Sequence, residues 1–305
     1  MKKKISLIAP FYGRSEFVGS FLSGYNNILE SIPNDYEIII VDDSKDEKTF
    51  NELVKSKEKY PRLKIIKLTK NWGQHPAILA GIEYSTGDYI VLTDCDLQED
   101  PQNILRFLEL IDSYDIIIGE KSEYKTSITS KFLSKLFWKL FNYFSKINYN
   151  PNQVTQRLFT KKVKESILKY KDQNIFWGGI FQDVGFKLYF HPIEHKESID
   201  KKSSYNLKSK LSLAITFLTS FSISPLRISS AISVGMFLLS VLSLIYVFYL
   251  KFVVVTPTGY ASMITVILFC SGFQLLALGI IGEYLSKTFS QTMQRPRYLI
   301  REIIE

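Results

Sequence analysis

Sulfur and imidazole are scarce in this chain, with 2 cysteines, 4 methionines and 3 histidines among 305 residues. Cys95 sits in an acidic cluster and Cys270 in a long apolar run, so a disulfide between them is not expected. No Cys/His spacing suits zinc, and the thiol usage fits a reducing, cytoplasmic setting. No G-x-G-x-x-G follows the first apolar run and no Walker A sequence occurs, which excludes the usual dinucleotide and P-loop signatures. The opening Met1-Lys2-Lys3-Lys4 is charged, but the apolar run behind it stops at Pro10. That run is too short for a secretory signal and reads as a first strand. The formal charge is +8. Its lysines flank apolar segments and form no aromatic-interleaved basic stripe. A negatively charged membrane surface is therefore the expected partner, and nucleic acid is not.

What the chain does have is unevenly spread. Residues 1–206 read as a soluble α/β domain and the remainder is strongly apolar. Apolar runs at 5–9, 36–41, 63–68, 89–93 and 115–119 predict strands, near-continuous as in parallel strands covered on both faces. Helical spacing falls between them, at 16–31, 49–60, 76–84 and 101–111. This alternation predicts right-handed βαβ units and a mainly parallel sheet, with ligands at the C-terminal strand edges. The loops at that edge are 11–14, Asp42-Asp43 and Asp94-Cys95-Asp96-Leu97-Gln98. In extended geometry Asp94 and Asp96 point to the same side. Hard oxygen ligands so placed suit Mg2+ or Mn2+ carrying a diphosphate. Taken alone, such a pair is an ordinary acidic turn; three polar loops on one edge point to a site.

The second half has a different character. Residues 128–147 place Phe132, Leu133, Leu136, Phe137, Leu140, Phe141 and Phe144 on one helical face, with Lys131, Lys135, Lys139 and Lys146 elsewhere. This is the pattern of a helix lying in a membrane interface, and 207–227 reads as a second one. Residues 228–250 and 260–282 are uncharged runs of about 23 residues, long enough to cross a bilayer core. Lys202, Lys208, Lys210 and Arg227 precede this hairpin; Lys287, Arg295, Arg297 and Arg301 follow it, and its turn offers only Lys251. The positive-inside rule then puts the 1–206 domain and the 283–305 tail on the cytoplasmic side of a bacterial inner membrane.

Motifs run through the whole length: Val41-Asp42-Asp43, Asn71-Trp72-Gly73-Gln74-His75, Gly87-Asp88, Asp94-Cys95-Asp96-Leu97-Gln98, Lys202-Ser203-Ser204-Tyr205, Ser220-Phe221-Ser222 through Pro225-Leu226-Arg227, and Gly282-Glu283-Tyr284 through Arg295-Pro296-Arg297-Tyr298. With these the chain resembles the polyisoprenyl-phosphate glycosyltransferases of glycosyltransferase family 2. The resemblance implies a GT-A-type (Rossmann-like) fold and transfer of one sugar, with inversion, from a UDP-linked nucleotide sugar to undecaprenyl phosphate. It implies donor contacts from Pro10, Tyr12, Asp42, Asp43, Lys70, Asn71, Gln74 and Asp94. Asp42 and Asp43 would meet base and ribose, and Asp94, Asp96 and Gln98 would hold Mg2+ or Mn2+. Lys121, Arg157, Lys202 and Tyr205 are implied at the acceptor phosphate, joined by Lys125 on proximity alone. The catalytic set is Asp94, Asp96, Arg157 and Lys121, and a homo-oligomer is in keeping with the family.

The chain departs from that pattern at Gly13-Arg14, where the family commonly has Asn-Glu, at Thr155, where it commonly has Asp, and at Tyr124, where it has a basic residue. No Gln-x-x-Arg-Trp occurs, against a processive synthase. Transfer onto a lipid-linked or surface glycan, and a catalytically silent nucleotide-sugar-binding scaffold, are the competing expectations.

Overall fold

The computed structural model describes residues 3–121, 138–139, 142–143, 149–173, 175–194, 224–253 and 259–305. The chain divides into two compact units: Met1–Lys139 with Ile147–Ser204 and Arg295–Glu305, and Leu140–Lys146 with Tyr205–Gln294.

The first unit is built on an eight-stranded sheet of order β7-β5-β6-β4-β1-β2-β3-β8. The strands are β1 (Ile5–Phe11), β2 (Tyr36–Asp42), β3 (Leu63–Leu68), β4 (Tyr89–Leu92), β5 (Ile116–Lys121), β6 (Gln153–Thr160), β7 (Leu188–Ile193) and β8 (Ile300–Ile304). The centre, β4-β1-β2-β3, is parallel. Beyond it, β6 runs antiparallel to both β4 and β5, β7 is parallel to β5, and β8 is antiparallel to β3. The expectation of a mainly parallel sheet therefore holds for the centre; the whole is mixed. The difference comes from β6, which reverses the chain beside β4, and from the tail, which returns after the apolar half to cover the β3 edge.

Side-chain alternation along the central strands feeds two cores, one on each face. Leu7, Ala9, Ile38, Ile40, Leu63, Ile65 and Val91 pack on one face. Ile8, Ile39, Val41, Ile66, Leu68, Ile90 and Leu92 pack on the other. Helix α1 (Val18–Ser31) buries Phe21, Leu22, Tyr25 and Leu29 against the first core, and Ile32, just before Pro33, leaves the helix with extended backbone. On the same face, α2 (Lys48–Lys57) contributes Leu53, and α4 (Asn103–Leu110) contributes Ile104 and Phe107. Across the sheet, α3 (Gln74–Tyr84) buries a continuous stretch from Ala77 to Ile82. It is joined there by α5 (Lys161–Ile167) and α6 (Trp177–Asp183). The α3 approach is close: a Cβ on Gly81 would stand 2.3 Å from Ile8 Cγ2.

In the second unit two long helices, α7 (Ser224–Val253) and α8 (Tyr260–Thr292), contain the two runs expected to cross a membrane, and they pack on each other. Among the described residues, Phe269–Thr292 is long and apolar enough for a span, and Leu226–Met236 is a shorter apolar helix. The expected interfacial segments at 128–147 (apart from 138–139 and 142–143) and 207–223 lie outside the described residues.

Candidate active site

The parallel centre opens its C-terminal edge at the ends of β1, β2 and β4, and two cavities lie there. One, of about 470 Å³, is lined by Pro10, Tyr12, Arg14, Asp43, Asn71 and Asp96. The other, of about 260 Å³, is lined among others by Gln98, Glu99, Lys121, Arg157 and Trp177. Gln74 and Asp94 belong to both, so the two cavities meet at the acidic motif.

Asp42 and Asp43 adjoin in sequence but face opposite ways, as successive residues at a strand end must. Asp42 is fully buried, with Oδ2 accepting from Lys67 Nζ at 2.7 Å and Oδ1 from the Ser44 backbone N–H at 3.0 Å. Lys67 Nζ also donates to the carbonyls of Ser44 and Asp46. Asp42 is thus a buried anchor of the loop and does not line the first cavity. Asp43 does, and its carboxylate gathers the 71–73 loop, accepting from Asn71 Nδ2 at 2.9 Å, Trp72 N at 2.7 Å and Gly73 N at 2.8 Å. Burial raises its pKa and the Asp42 charge adds to this, against the backbone N–H bonds. Gly73 has φ +94°, a conformation that only glycine adopts without strain, and this turns its N–H to Asp43 at the start of α3. Lys70 lies over the Trp72 ring, 4.3 Å from its centroid, and lines neither cavity.

Asp94 and Asp96 follow β4. Gln74 Nε2 donates to Asp94 Oδ1 at 2.6 Å. Burial raises the Asp94 pKa and the Asp96 charge adds to it; the Thr155 hydroxyl, Arg157 and Gln74 work in the opposite sense. Leu97 has φ 54°, rare for a side chain branched beyond Cβ, and the Gln98 N–H closes the turn onto Asp96 Oδ1 at 3.3 Å. Two carboxylates whose mutual repulsion is only partly offset suit a hard divalent cation, and Gln98 stands beside them on the second cavity. Among the described residues no three carboxylate, imidazole or thiol groups are arranged so as to hold a metal ion between them.

The sequence reading missed Glu99. It is 3 % exposed, and burial with the charges of Asp94 and Asp96 pushes its pKa up to about 8. Its position directly after the acidic motif was the available signal.

Arg157 lies on β6 opposite Leu92 of β4. It is buried over the Phe181 ring, donating from Nε to Thr155 O at 2.9 Å and from Nη2 to Val154 O at 2.7 Å. Among the described residues Nη1 has no hydrogen-bond partner. Burial lowers the pKa to about 10, which leaves the guanidinium charged at neutral pH. His75, on the same cavity, has its pKa lowered by burial and by the Arg157 charge and is neutral there. The structure therefore brings together Pro10, Tyr12, Asp43, Asn71, Gln74, Asp94, Asp96, Gln98, Lys121 and Arg157 on two adjoining cavities. Lys125, Lys202 and Tyr205 lie outside the described residues.

An edge of this kind, with paired carboxylates between two cavities on a Rossmann-like sheet, is a site that can take a divalent cation together with an anionic ligand. Residues 6–169 match the model for glycosyl transferase family 2, and residues 224–288 match the GtrB C-terminal hairpin. The chain is 32% identical over 306 residues to the bactoprenol glucosyl transferase of Shigella phage SfX, covering 98% of this chain and 99% of that protein. It is 30% identical to the prophage bactoprenol glucosyl transferase homolog of Escherichia coli, over 98% and 99% of the two chains. Among solved structures it shares the fold of the Pyrobaculum calidifontis mannosyltransferase PcManGT in complex with GDP-Man and Mn2+ (TM-score 0.51, 13% identity, 72% of this chain and 64% of that one). It also shares the fold of glucosyl-3-phosphoglycerate synthase from Mycobacterium tuberculosis in complex with Mn2+ and UDP (TM-score 0.52, 13% identity, 72% and 80%). The chain belongs to glycosyltransferase family 2 and is a glycosyltransferase. Within that family it falls in the polyisoprenyl-phosphate group.

Proposed function

We propose that the protein transfers one sugar from a UDP-linked donor to undecaprenyl phosphate, with inversion, at the cytoplasmic face of a bacterial inner membrane. One observation carries this reading: a cavity of about 470 Å³ lined by Tyr12, Asp43 and Asn71, and a cavity holding Arg157 and Lys121, meet at Asp94. The names of the bactoprenol glucosyl transferase relatives support the acceptor. In this reading Pro10, Tyr12, Asp43 and Asn71 hold the nucleotide, and Asp42 with Lys67 fixes the loop beneath it. Asp94 and Asp96, with Gln98, hold Mg2+ or Mn2+, which supplies charge stabilisation for the departing diphosphate.

The acceptor phosphate is substantially ionised at neutral pH, its second pKa being about 6, so attack needs no dedicated base. Its oxygen forms the bond to the anomeric carbon as the bond to the diphosphate oxygen breaks, and the electron pair leaves with the nucleotide. Arg157 and Lys121 offset repulsion between the anionic acceptor and the anionic donor. Lys125, Lys202 and Tyr205 are assigned to the same phosphate from the sequence.

The two helices α7 and α8 form the membrane hairpin in this proposal, anchoring a catalytic domain of residues 1–206, with 128–147 and 207–227 at the interface. Large apolar side chains exposed along both helices, such as Leu242 and Leu275, and the matched hairpin model support it. The test is nucleotide release by purified protein with Mg2+ or Mn2+ and a panel of UDP-, GDP- and dTDP-sugars. Release should require undecaprenyl phosphate and consume it; absence of release across the panel contradicts the proposal.

A further inference from the structure

The first cavity contains a charge that the proposed transfer does not use. Three carboxylates line it, Asp43, Asp94 and Asp96, and among the described residues Arg14 is the one cation that does so. Arg14 stands in the loop that leaves β1. That loop is tied to the end of β2: Asp43 N donates to Phe11 O and Gly13 N to the Ser44 hydroxyl, each at 2.8 Å. Gly13 has φ 58°, in the left-handed region open to glycine and, among other residues, most readily to asparagine and aspartate. The Asn common at this place in the family suits the same backbone, so Gly13 keeps the turn. Arg14, where the family commonly has Glu, instead reverses a charge. Its carbonyl accepts from Phe17 N at 3.1 Å, and its half-buried guanidinium lies over the Phe17 ring, 5.6 Å from the centroid. Burial and the flanking Asp94 and Asp96 push the Cys95 thiol up, and the Arg14 charge works against them. The guanidinium is therefore felt at the acidic end of the cavity.

The chemistry that such a cation meets follows from the charges around it. A divalent cation held by Asp94 and Asp96 is balanced by those two carboxylates alone, and Asp43 adds another acidic group to the same cavity. A diphosphate entering there would meet net repulsion unless a further positive charge faced it. Arg14 supplies that charge. Its planar fork can give two parallel N–H bonds to two phosphate oxygens, which a neutral nucleobase would not answer with charge. As the bond to the sugar breaks, negative charge grows on the diphosphate oxygen, and a contact of this kind strengthens.

We infer that Arg14 binds the diphosphate of the donor, as a fixed second cation beside the metal ion. This assignment rests on the donor reading above. The test titrates full-length protein calorimetrically with UDP and with uridine in Mg2+; GDP or dTDP and its nucleoside take their place if wild type prefers them. In Arg14→Gln, UDP affinity should fall about 10- to 100-fold while uridine affinity stays within about twofold. The loss should persist at saturating Mg2+, because the contact is made by the guanidinium and not through the metal ion. Arg14→Glu, which restores the family's acid, should lose more than Arg14→Gln. Arg14→Lys, which keeps the charge without the fork, should lose less, and it decides the question if the glutamine variant does not fold. Unchanged UDP affinity in a folded variant overturns the assignment, as does an equal loss for UDP and uridine. A loss that saturating Mg2+ abolishes belongs to the metal site and overturns it too. Wild-type protein that binds none of the three nucleotides contradicts the donor reading and this assignment together. Because the titrations need no turnover, wild-type protein that binds nucleotide but transfers nothing contradicts the transfer reading alone, and the variants still decide the role of Arg14.

Discussion

Replacing Lys67 with methionine removes the cation from a pair buried at the base of the donor loop. Lys67 Nζ lies 2.7 Å from Asp42 Oδ2, and the two side chains are 3% and 0% exposed. Methionine keeps most of the apolar stem but leaves Asp42 as an uncompensated charge in a dry site. Removing one partner of a buried pair costs about 3–5 kcal/mol. For a unit of roughly 200 residues each kcal/mol shifts Tm by about 2–4 °C, so the expected drop is about 6–20 °C. The loss should reach the donor pocket, because Asp42 holds Ser44 N and the Ser44 hydroxyl accepts from Gly13 N at 2.8 Å. Thermal unfolding of the solubilised protein followed by near-ultraviolet circular dichroism measures the first effect, and UDP titration the second. The double variant Asp42→Asn with Lys67→Met should recover much of the loss, a coupling that a double-mutant cycle reads directly. A Lys67→Met protein melting within about 2 °C of wild type would refute the reasoning, since a pair this buried cannot lose one charge cheaply.

Three further outcomes are expected. Asp96→Asn should lower transfer by at least about 100-fold and abolish the Mg2+ dependence of UDP binding, checked by parallel kinetics and titration. Gly81→Ala forces a methyl against Ile8 Cγ2 between α3 and the sheet, and should destabilise the domain by about 1–3 kcal/mol in chemical denaturation, without altering metal dependence. Deleting residues 295–305 removes β8 and the Arg297 bond to Tyr170 O at 2.8 Å, exposing the β3 edge; light scattering should report aggregation on mild heating where the full chain stays dispersed.

The first five strands were legible because each is a β-branched apolar run buried on both faces. The remaining three were not, for different reasons. In β6, Thr155 and Arg157 face a cavity rather than a core, so the apolar signal of a buried strand is broken where the site is built. β7 is an edge strand with intermediate exposure and contains Pro192. β8 is five residues long and finds its partner, β3, across more than 200 residues of chain, a pairing that no local pattern encodes. At the site, the carboxylates and Arg157 were legible as chemistry, but their division of labour was not. Asp42 and Asp43 read as equals; strand alternation and Lys67 turn one inward and leave the other to the cavity. Glu99 was not singled out from the sequence, and it is buried to 3% exposure directly after the acidic motif.

In the proposed reaction a lipid phosphate takes the sugar at this site. Mass spectrometry of the lipid fraction, after purified protein is incubated with undecaprenyl phosphate, mixed nucleotide sugars and Mg2+, tests it most directly. A single new lipid is expected, heavier than undecaprenyl phosphate by one glycosyl residue and absent with Asp96→Asn. Unmodified undecaprenyl phosphate beside a sugar-bearing product of another kind, or no product at all, would contradict it.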